Sequence, residues 1–380
     1  MTTLPSPWSE HVLIERTPSG VGRLTLARPR ALNALDLGMV RALTEALLAW
    51  RDDDGIVAVA IRGMGRDGPF GAFCAGGDIR FFHQAALAGD PRLEDFFTEE
   101  YTLNHLIFTY PKPYVAFMDG VVMGGGMGIS QGAAVRVVTE RTRMAMPETA
   151  IGLFPDVGGG WFLGRCPGHV GEYLGLTGVT VGAGEALAWG LADVAAPADD
   201  LPRAWEALGT LAAPDPQAWL AAWQGWVDAQ PDWRRAGART VAPLAPEVEQ
   251  AFGAGTVTAV AAGLQAAGTE AAAQALATLR QRSPLMLHVV REQIRRARAM
   301  TLADALRLER DLVRHCFHPR HLGRSPAQSE TVEGIRALAV DKGHQPRWNP
   351  ARLEDVTPEM VTPFFASPWP AHAHPLRGLA

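Results

Sequence analysis

An α/β fold is predicted for the first half of this chain, and three observations predict it. Short apolar runs recur between glycine- and proline-rich breaks, the segments separating them carry helical stripes, and near Ala195 the composition turns Ala-rich. Strands spaced by helices are the pattern of α/β layering.

The elements follow in order. His11–Thr17 and Val21–Ala27 read as two strands joined through Pro18-Ser19-Gly20, a hairpin signal. Leu37–Arg51 places Leu37, Val40, Leu43, Leu47 and Leu48 along one helical stripe. Ile56–Ile61 is a continuous apolar run between Asp-Gly and Gly breaks, as expected of a buried strand. Tyr114–Val122 and Val135–Thr139 are two further strands. From Ala195 to about Arg314 the chain reads as helical, and Trp219, Trp223 and Trp226 define one helix face suited to core packing. Prolines interrupt the end of the chain too often for long regular structure. The expected division is a catalytic core over 1–195, a mainly helical region over 196–350 and an irregular Pro-rich tail over 351–380.

Bulk properties exclude several classes. The 380 residues are 47% hydrophobic and 20% charged, which is globular rather than disordered. The net charge of −5 comes without a basic block, so nucleic acid is not an expected partner. Positive charge is almost all Arg, with Lys only at 112 and 342. Three dispersed cysteines, Cys74, Cys166 and Cys316, make no disulfide framework and fit a reducing compartment. No basic start followed by an apolar run opens the chain, and no stretch approaches the roughly 20 apolar residues of a membrane span. A cytoplasmic setting is expected.

Three segments carry chemistry. Phe73-Cys74-Ala75-Gly76-Gly77-Asp78 follows a glycine-rich loop and precedes a helix predicted from Ile79, so small residues there let a ligand approach free N–H groups. Gly124-Gly125-Gly126 closes a strand and opens a helix predicted over Met127 to about Ala134. It lacks the Gly-Lys-Ser/Thr of a phosphate loop, and Ile129 spoils a dinucleotide pattern. Backbone donors from two such loops would suit a small oxyanion. Met146 to Gly160 sets two carboxylates, Glu148 and Asp156, among apolar and glycine residues, where a carboxyl group rises toward the acid–base range. Helix capping is the plainer role for either.

Two decoys are weighed against these. Gly128-Ile129-Ser130-Gln131-Gly132 matches a nucleophile elbow, but the sharp turn falls at the glycine triplet and would leave Ser130 inside a helix. His315, Cys316, His318 and His321 offer ligand types, yet Pro319 interrupts them and Arg314, Arg320 and Arg324 would repel a cation. No metal is expected. Cys74 has no visible cation to activate it.

Taken together, C-A-G-G-D, G-G-G-M-G and M-P-E-T-A-I-G-L-F-P-D-V-G-G-G resemble the enoyl-CoA hydratase/isomerase (crotonase) superfamily, and within it the branch that hydrolyses β-hydroxyacyl-CoA thioesters. The resemblance is strong from about Gly20 to Asp193 and returns at Ser283-Pro284, at 333–336 and at 341–348. It implies a crotonase-like (ClpP/crotonase) ββα superhelix with a helical C-terminal region. It implies an oxyanion hole from the N–H groups of Ala75 (or Gly76) and Gly125, with Glu148 catalytic and Asp156 the second acid. Glu100 matches a substrate-binding glutamate; Gly76, Gly77, Asp78, Gly124 and Asn33 are expected on the substrate side, with Arg28 and Arg30 near the coenzyme A entrance. Hydratases of the family carry a second glutamate where Gly128 stands here, which argues against hydration. Coenzyme A would enter only as part of the acyl-CoA substrate, no other cofactor is implied, and a homo-oligomer is open.

Overall fold

The computed structural model describes residues 2–4, 6–235 and 243–380. Its strands are β1 (Thr2–Leu4), β2 (Val12–Arg16), β3 (Val21–Leu26), β4 (Ala58–Gly63), β5 (Tyr114–Met118), β6 (Val121–Met123), β7 (Val135–Val138), β8 (Arg143–Ala145), β9 (Val194–Ala195) and β10 (Arg234–Arg235). The main sheet runs β1-β2-β3-β4-β5-β7-β9-β10, and β6 pairs with β8 separately. Its first three strands and its last pair are antiparallel, while β3, β4, β5, β7 and β9 are parallel. Parallel neighbours need crossovers, and the first is α1 (Leu37–Arg51), starting where Asp36 accepts from the Met39 N–H at 2.8 Å. The α/β expectation holds.

Two compact units divide the chain. The first takes the chain to Gly77, Leu103–Met144 and the segment from Val181 to 235. The second takes Asp78–Thr102, Ala145–Thr180 and the segment from 243 onward.

In the first unit the sheet packs Val115, Phe117, Val135 and Val137 against Trp205, Trp219 and Trp223. The helix Pro216–Asp228 starts at Asp215, which accepts from Ala218 N–H, and it presents the Trp stripe. Trp219 and Trp223 stack at 6.2 Å and 8°, and Trp223 and Trp226 at 5.1 Å and 9°. The stripe is therefore core. Truncating a fully buried Trp to Ala costs about 3–5 kcal/mol.

Two elements differ from expectation. The Tyr114–Val122 strand breaks at Asp119-Gly120, because buried Asp119 accepts from Thr139 and Arg141 while Gly120 turns with φ +72°. The helix expected from Met127 to Ala134 is a single turn instead, α4 (Gly125–Gly128). Ser130 Oγ donates back to Gly126 O at 2.8 Å, and Gly132 lies where a Cβ would come within 2.7 Å of Phe108, so the segment turns tightly.

In the second unit α2 (Ile79–Ala88) and the part of α3 (Arg92–Phe108) up to Thr102 bring Phe82, Phe96 and Phe97 together with Phe317 from the helix Leu302–Phe317. Glu94 accepts from Arg310 and Arg314; burial pushes its carboxyl up, but His318, then Arg310 and Arg314, hold it well below the usual range. The end of the chain forms short turns of helix that are held down: Ser367 Oγ donates to Asp311, and His315 Nε2 lies 2.9 Å from Ala366 O.

Candidate active site

In the first unit the two glycine loops lie side by side. Cys74 N–H donates to Val121 O, and Met123 N–H donates to Cys74 O, both at 2.9 Å. The approach is closest at Gly126, where a Cβ would stand 2.4 Å from Cys74 O, and at Gly76, where one would stand 3.2 Å from Met123 O and 3.5 Å from Gly125 N. Gly76 also has φ +98°. Glycine is required here on both counts. The N–H groups of Gly76, Gly77 and Gly125 make no hydrogen bond among the described residues. They are donors in search of an acceptor.

Ala75 is not among them. Its N–H donates to Leu32 O at 3.0 Å, so Ala75 is not the free donor that was expected. The acceptor lies in the loop before α1, where Leu32 and Asn33 both take left-handed φ, +50° and +56°. Asn33 is corrected with it. Its side chain is fully buried, accepts from Arg28 N–H and donates to Met64 O and Ala72 O, so it shapes the loop rather than meeting a ligand. Arg28 donates to Ala34 O. A cavity of about 560 Å³ opens beside this loop, lined by Pro29, Leu32, Phe70, Arg66 and Arg141. Gly124, at φ +50° and ψ −119°, accepts from the Met127 and Gly128 N–H groups and starts α4.

In the second unit the backbone around Glu148 is pinned. Thr149 Oγ1 donates to Leu176 O, Ser283 N–H to Thr149 O, and Thr331 Oγ1 to Gly152 O. Glu148 begins a turn of 3-10 helix that Gly152 ends at φ +66°. Its carboxyl is buried and Oε2 has no partner. Burial, then the nearby Asp156, pushes its pKa well above the ordinary carboxyl value. Asp156 accepts from Tyr101 OH at 2.8 Å; burial raises it to about 6 against the lowering effect of that bond. It caps no helix with its side chain, because the next helix, Gly159–Leu163, starts at Gly158. Glu100 is buried with Oε1 unpartnered, and burial, Asp156 and Glu148 all push it up. Asp78 caps α2, accepting from Phe81 N–H at 3.3 Å.

No Arg, Lys or His pairs with Glu100, Glu148 or Asp156 among the described residues. Arg310, on the helix Leu302–Phe317, donates instead to Glu94 and Thr98. Uncompensated buried carboxyls are costly and are retained where their proton affinity is used. The sequence reading missed Tyr101, although it adjoins Glu100, and Glu309, a buried acid whose carboxylate accepts from Gly158 N–H at 2.7 Å and Gly160 N–H at 3.0 Å. Both decoys are absorbed elsewhere. Ser130 is fully buried and bonded to its own turn; His318 lies 3.4 Å from Glu94, and His321 packs edge-on to Phe364.

Comparison with known proteins gives three findings. A model of the family Enoyl-CoA hydratase/isomerase matches residues 21–365. The mitochondrial 3-hydroxyisobutyryl-CoA hydrolase of Xenopus tropicalis is 38% identical over 349 residues, covering 91% of this chain and 86% of that one; the Danio rerio protein of the same name is 35% identical over 369 residues, covering 96% and 91%. Among solved structures, a carnitinyl-CoA dehydratase from Mycobacterium thermoresistibile superposes with a TM-score of 0.80 at 36% identity, covering 94% of this chain and 97% of that one. An enoyl-CoA hydratase from Rhodobacter sphaeroides 2.4.1 gives 0.79 at 37%, covering 94% and 98%.

Proposed function

The chain belongs to the enoyl-CoA hydratase/isomerase family, and from that premise we propose that it hydrolyses 3-hydroxyisobutyryl-CoA to 3-hydroxyisobutyrate and coenzyme A, a step of valine breakdown. The observation that carries this reading is the pair of buried acids, Glu148 with a free carboxyl oxygen and Asp156 tuned to about 6. The names of the curated relatives agree with it.

The proposed chemistry assigns roles as follows. Free N–H groups of the glycine loops (Gly125 with Gly76 or Gly77) take the thioester oxygen as it becomes an oxyanion; one such donor is worth about 3 kcal/mol in a transition state. Glu148, once deprotonated, either takes a proton from water as the water adds to the carbonyl carbon, or adds itself and is released by water from the resulting anhydride. In both routes the C–S bond breaks, and the thiolate departs with the electron pair. Asp156 orients the water, and Glu100 meets the substrate hydroxyl. The cavity beside Arg66 and Arg141 takes the coenzyme A moiety. No further cofactor is needed, since the reaction is a net addition of water. The buried thiols of Cys74, Cys166 and Cys316 suit a reducing compartment, and a cytoplasmic location is part of the proposal.

A second reading, hydration or dehydration of an enoyl-CoA, is favoured by the names given to two similar proteins of known structure. Gly128 stands against it, as the helix turn after the triplet offers no second carboxylate. The deciding experiment follows thiol release from 3-hydroxyisobutyryl-CoA beside loss of enone absorbance from crotonyl-CoA. Thiol release alone is expected; hydration without thiol release would replace the hydrolase reading.

A further inference from the structure

We propose that Glu309 is a positioning residue for this reaction: it grips the turn that follows Asp156 and thereby sets where that acid is held. The inference rests on the hydrolase reading of Glu148 and Asp156 and adds a residue about 150 positions later in the chain.

The geometry begins at Val157. It is buried, β-branched and at φ +56°, a conformation such residues avoid. Strain of this kind persists where the surroundings impose it, and it clusters at functional sites. Here the imposing group is visible. Glu309, on the helix Leu302–Phe317, accepts from Gly158 N–H at 2.7 Å through one oxygen and from Gly160 N–H at 3.0 Å through the other. Gln293, on the helix Pro284–Ala297, donates to Glu309 at 3.2 Å and to Pro155 O at 2.7 Å. The residues on both sides of Asp156-Val157 are therefore tied to one small polar cluster. Gly160 has no room for more, since a Cβ would lie 2.8 Å from Gln293 Nε2.

Among the described residues the titratable groups facing Glu309 are Asp156, Glu148 and Tyr101, and none is a cation. Arg310, its neighbour in the chain, is turned to Glu94 and Thr98. Burial pushes Glu309 up to about 8, opposed by its two backbone donors and Gln293. When charged, it disfavours ionisation of Glu148. The same carboxylate thus holds the turn and bears on the proton affinity of the catalytic acid.

The test compares the wild type with E309Q, E309D, and V157G added to E309Q, following thiol release from 3-hydroxyisobutyryl-CoA between about pH 5 and 9. A glutamine has one acceptor oxygen for two N–H groups and no charge. E309Q is expected to lose kcat about 10- to 100-fold with KM within about threefold, and to lose the change in rate that the ionisation of Glu309 near 8 brings to the wild-type pH profile. E309D keeps an ionisable carboxyl group, so that feature of the profile stays while kcat falls in part. Glycine takes positive φ unaided, so V157G should return at least about threefold of the kcat lost in E309Q. Wild-type kcat and an unchanged pH profile in E309Q would overturn the inference. So would a loss of melting temperature alone, with no change in the pH profile and no gain from V157G. E148Q separates the two readings: an active E148Q sinks the assignment of the site, whereas an inactive E148Q beside a normal E309Q sinks only the role of Glu309.

Discussion

The glycine loops of the first unit and the acid cluster of the second are built on opposite principles. The loops work by leaving things out. Gly76, Gly124 and Gly126 have no side chain because backbone lies where a Cβ would go or because φ is positive, and the chemistry they offer is bare N–H. The acid cluster works by accumulation: Glu100, Glu148, Asp156 and Glu309 are all buried, with no cation paired to any of them among the described residues. Loops of this kind are fixed by sterics and are insensitive to pH. The cluster is fixed by hydrogen bonds from Tyr101, Gln293 and backbone, and its state depends on how many protons it holds.

The comparison can be broken at each end. The largest effect is expected on the acid side. Glu148→Gln should fold normally and lose about 10³-fold or more in kcat, at the strong end for a positioned proton carrier; circular dichroism with thiol-release kinetics checks both halves. On the loop side, Gly126→Ala drives a methyl group to within 2.4 Å of Cys74 O, so the loops must part. A displaced donor costs about 10²-fold in kcat, and the pH profile should keep its wild-type midpoint. Tyr101→Phe removes the hydrogen bond that lowers Asp156. Its kcat should fall about tenfold, and the acid limb should move to higher pH, since the acid now releases its proton later. Arg66→Ala is expected to raise KM about three- to tenfold with kcat unchanged, as for a contact equal in ground and transition states. Ser130→Ala, smallest of all, should leave kcat within about twofold; a large loss there would reopen the serine-hydrolase alternative.

Stability should follow the same protons. Asp156 ionises near 3.8 when unfolded and about 6 when folded, so between those values the native state holds more protons than the unfolded one. Its burial therefore works against the folded state at neutral pH, and this cost shrinks as pH falls through about 6 toward 4. Glu148 and Glu100 shift in the same direction and add to it. Urea midpoints of wild type and Asp156→Asn, compared at neutral pH and near pH 5, should differ most at neutral pH, with the variant the more stable.

What could be read from sequence divides along the same line. Local features were legible. The α1 stripe gives Leu37–Arg51, and the glycine triplet marks a strand-to-helix corner. Glu148 and Asp156 stood out because a carboxylate in apolar company is conspicuous. Long-range pairings were not legible. Nothing near Ala75 announces that Leu32 O will claim its N–H, because that depends on two consecutive left-handed residues without glycine. Asn33 looked like a ligand and is a staple for the same reason. Glu309 sits in a helix rich in Arg and Asp, where one more acid reads as a solvated face. Only the fold shows that it turns inward.

The tryptophan stack has a consequence for anyone who watches this protein unfold. Eight of the eleven tryptophans belong to the first unit, and three of them, Trp219, Trp223 and Trp226, are stacked nearly parallel on successive turns. The second unit, which carries the buried acids, holds only Trp161, Trp348 and Trp369. Intrinsic fluorescence is therefore a weighted voice that speaks mostly for the sheet and its helical cover. A melting curve read at that wavelength can stay flat while the unit bearing Glu148 has already lost its order, so activity and emission need not fail at the same temperature.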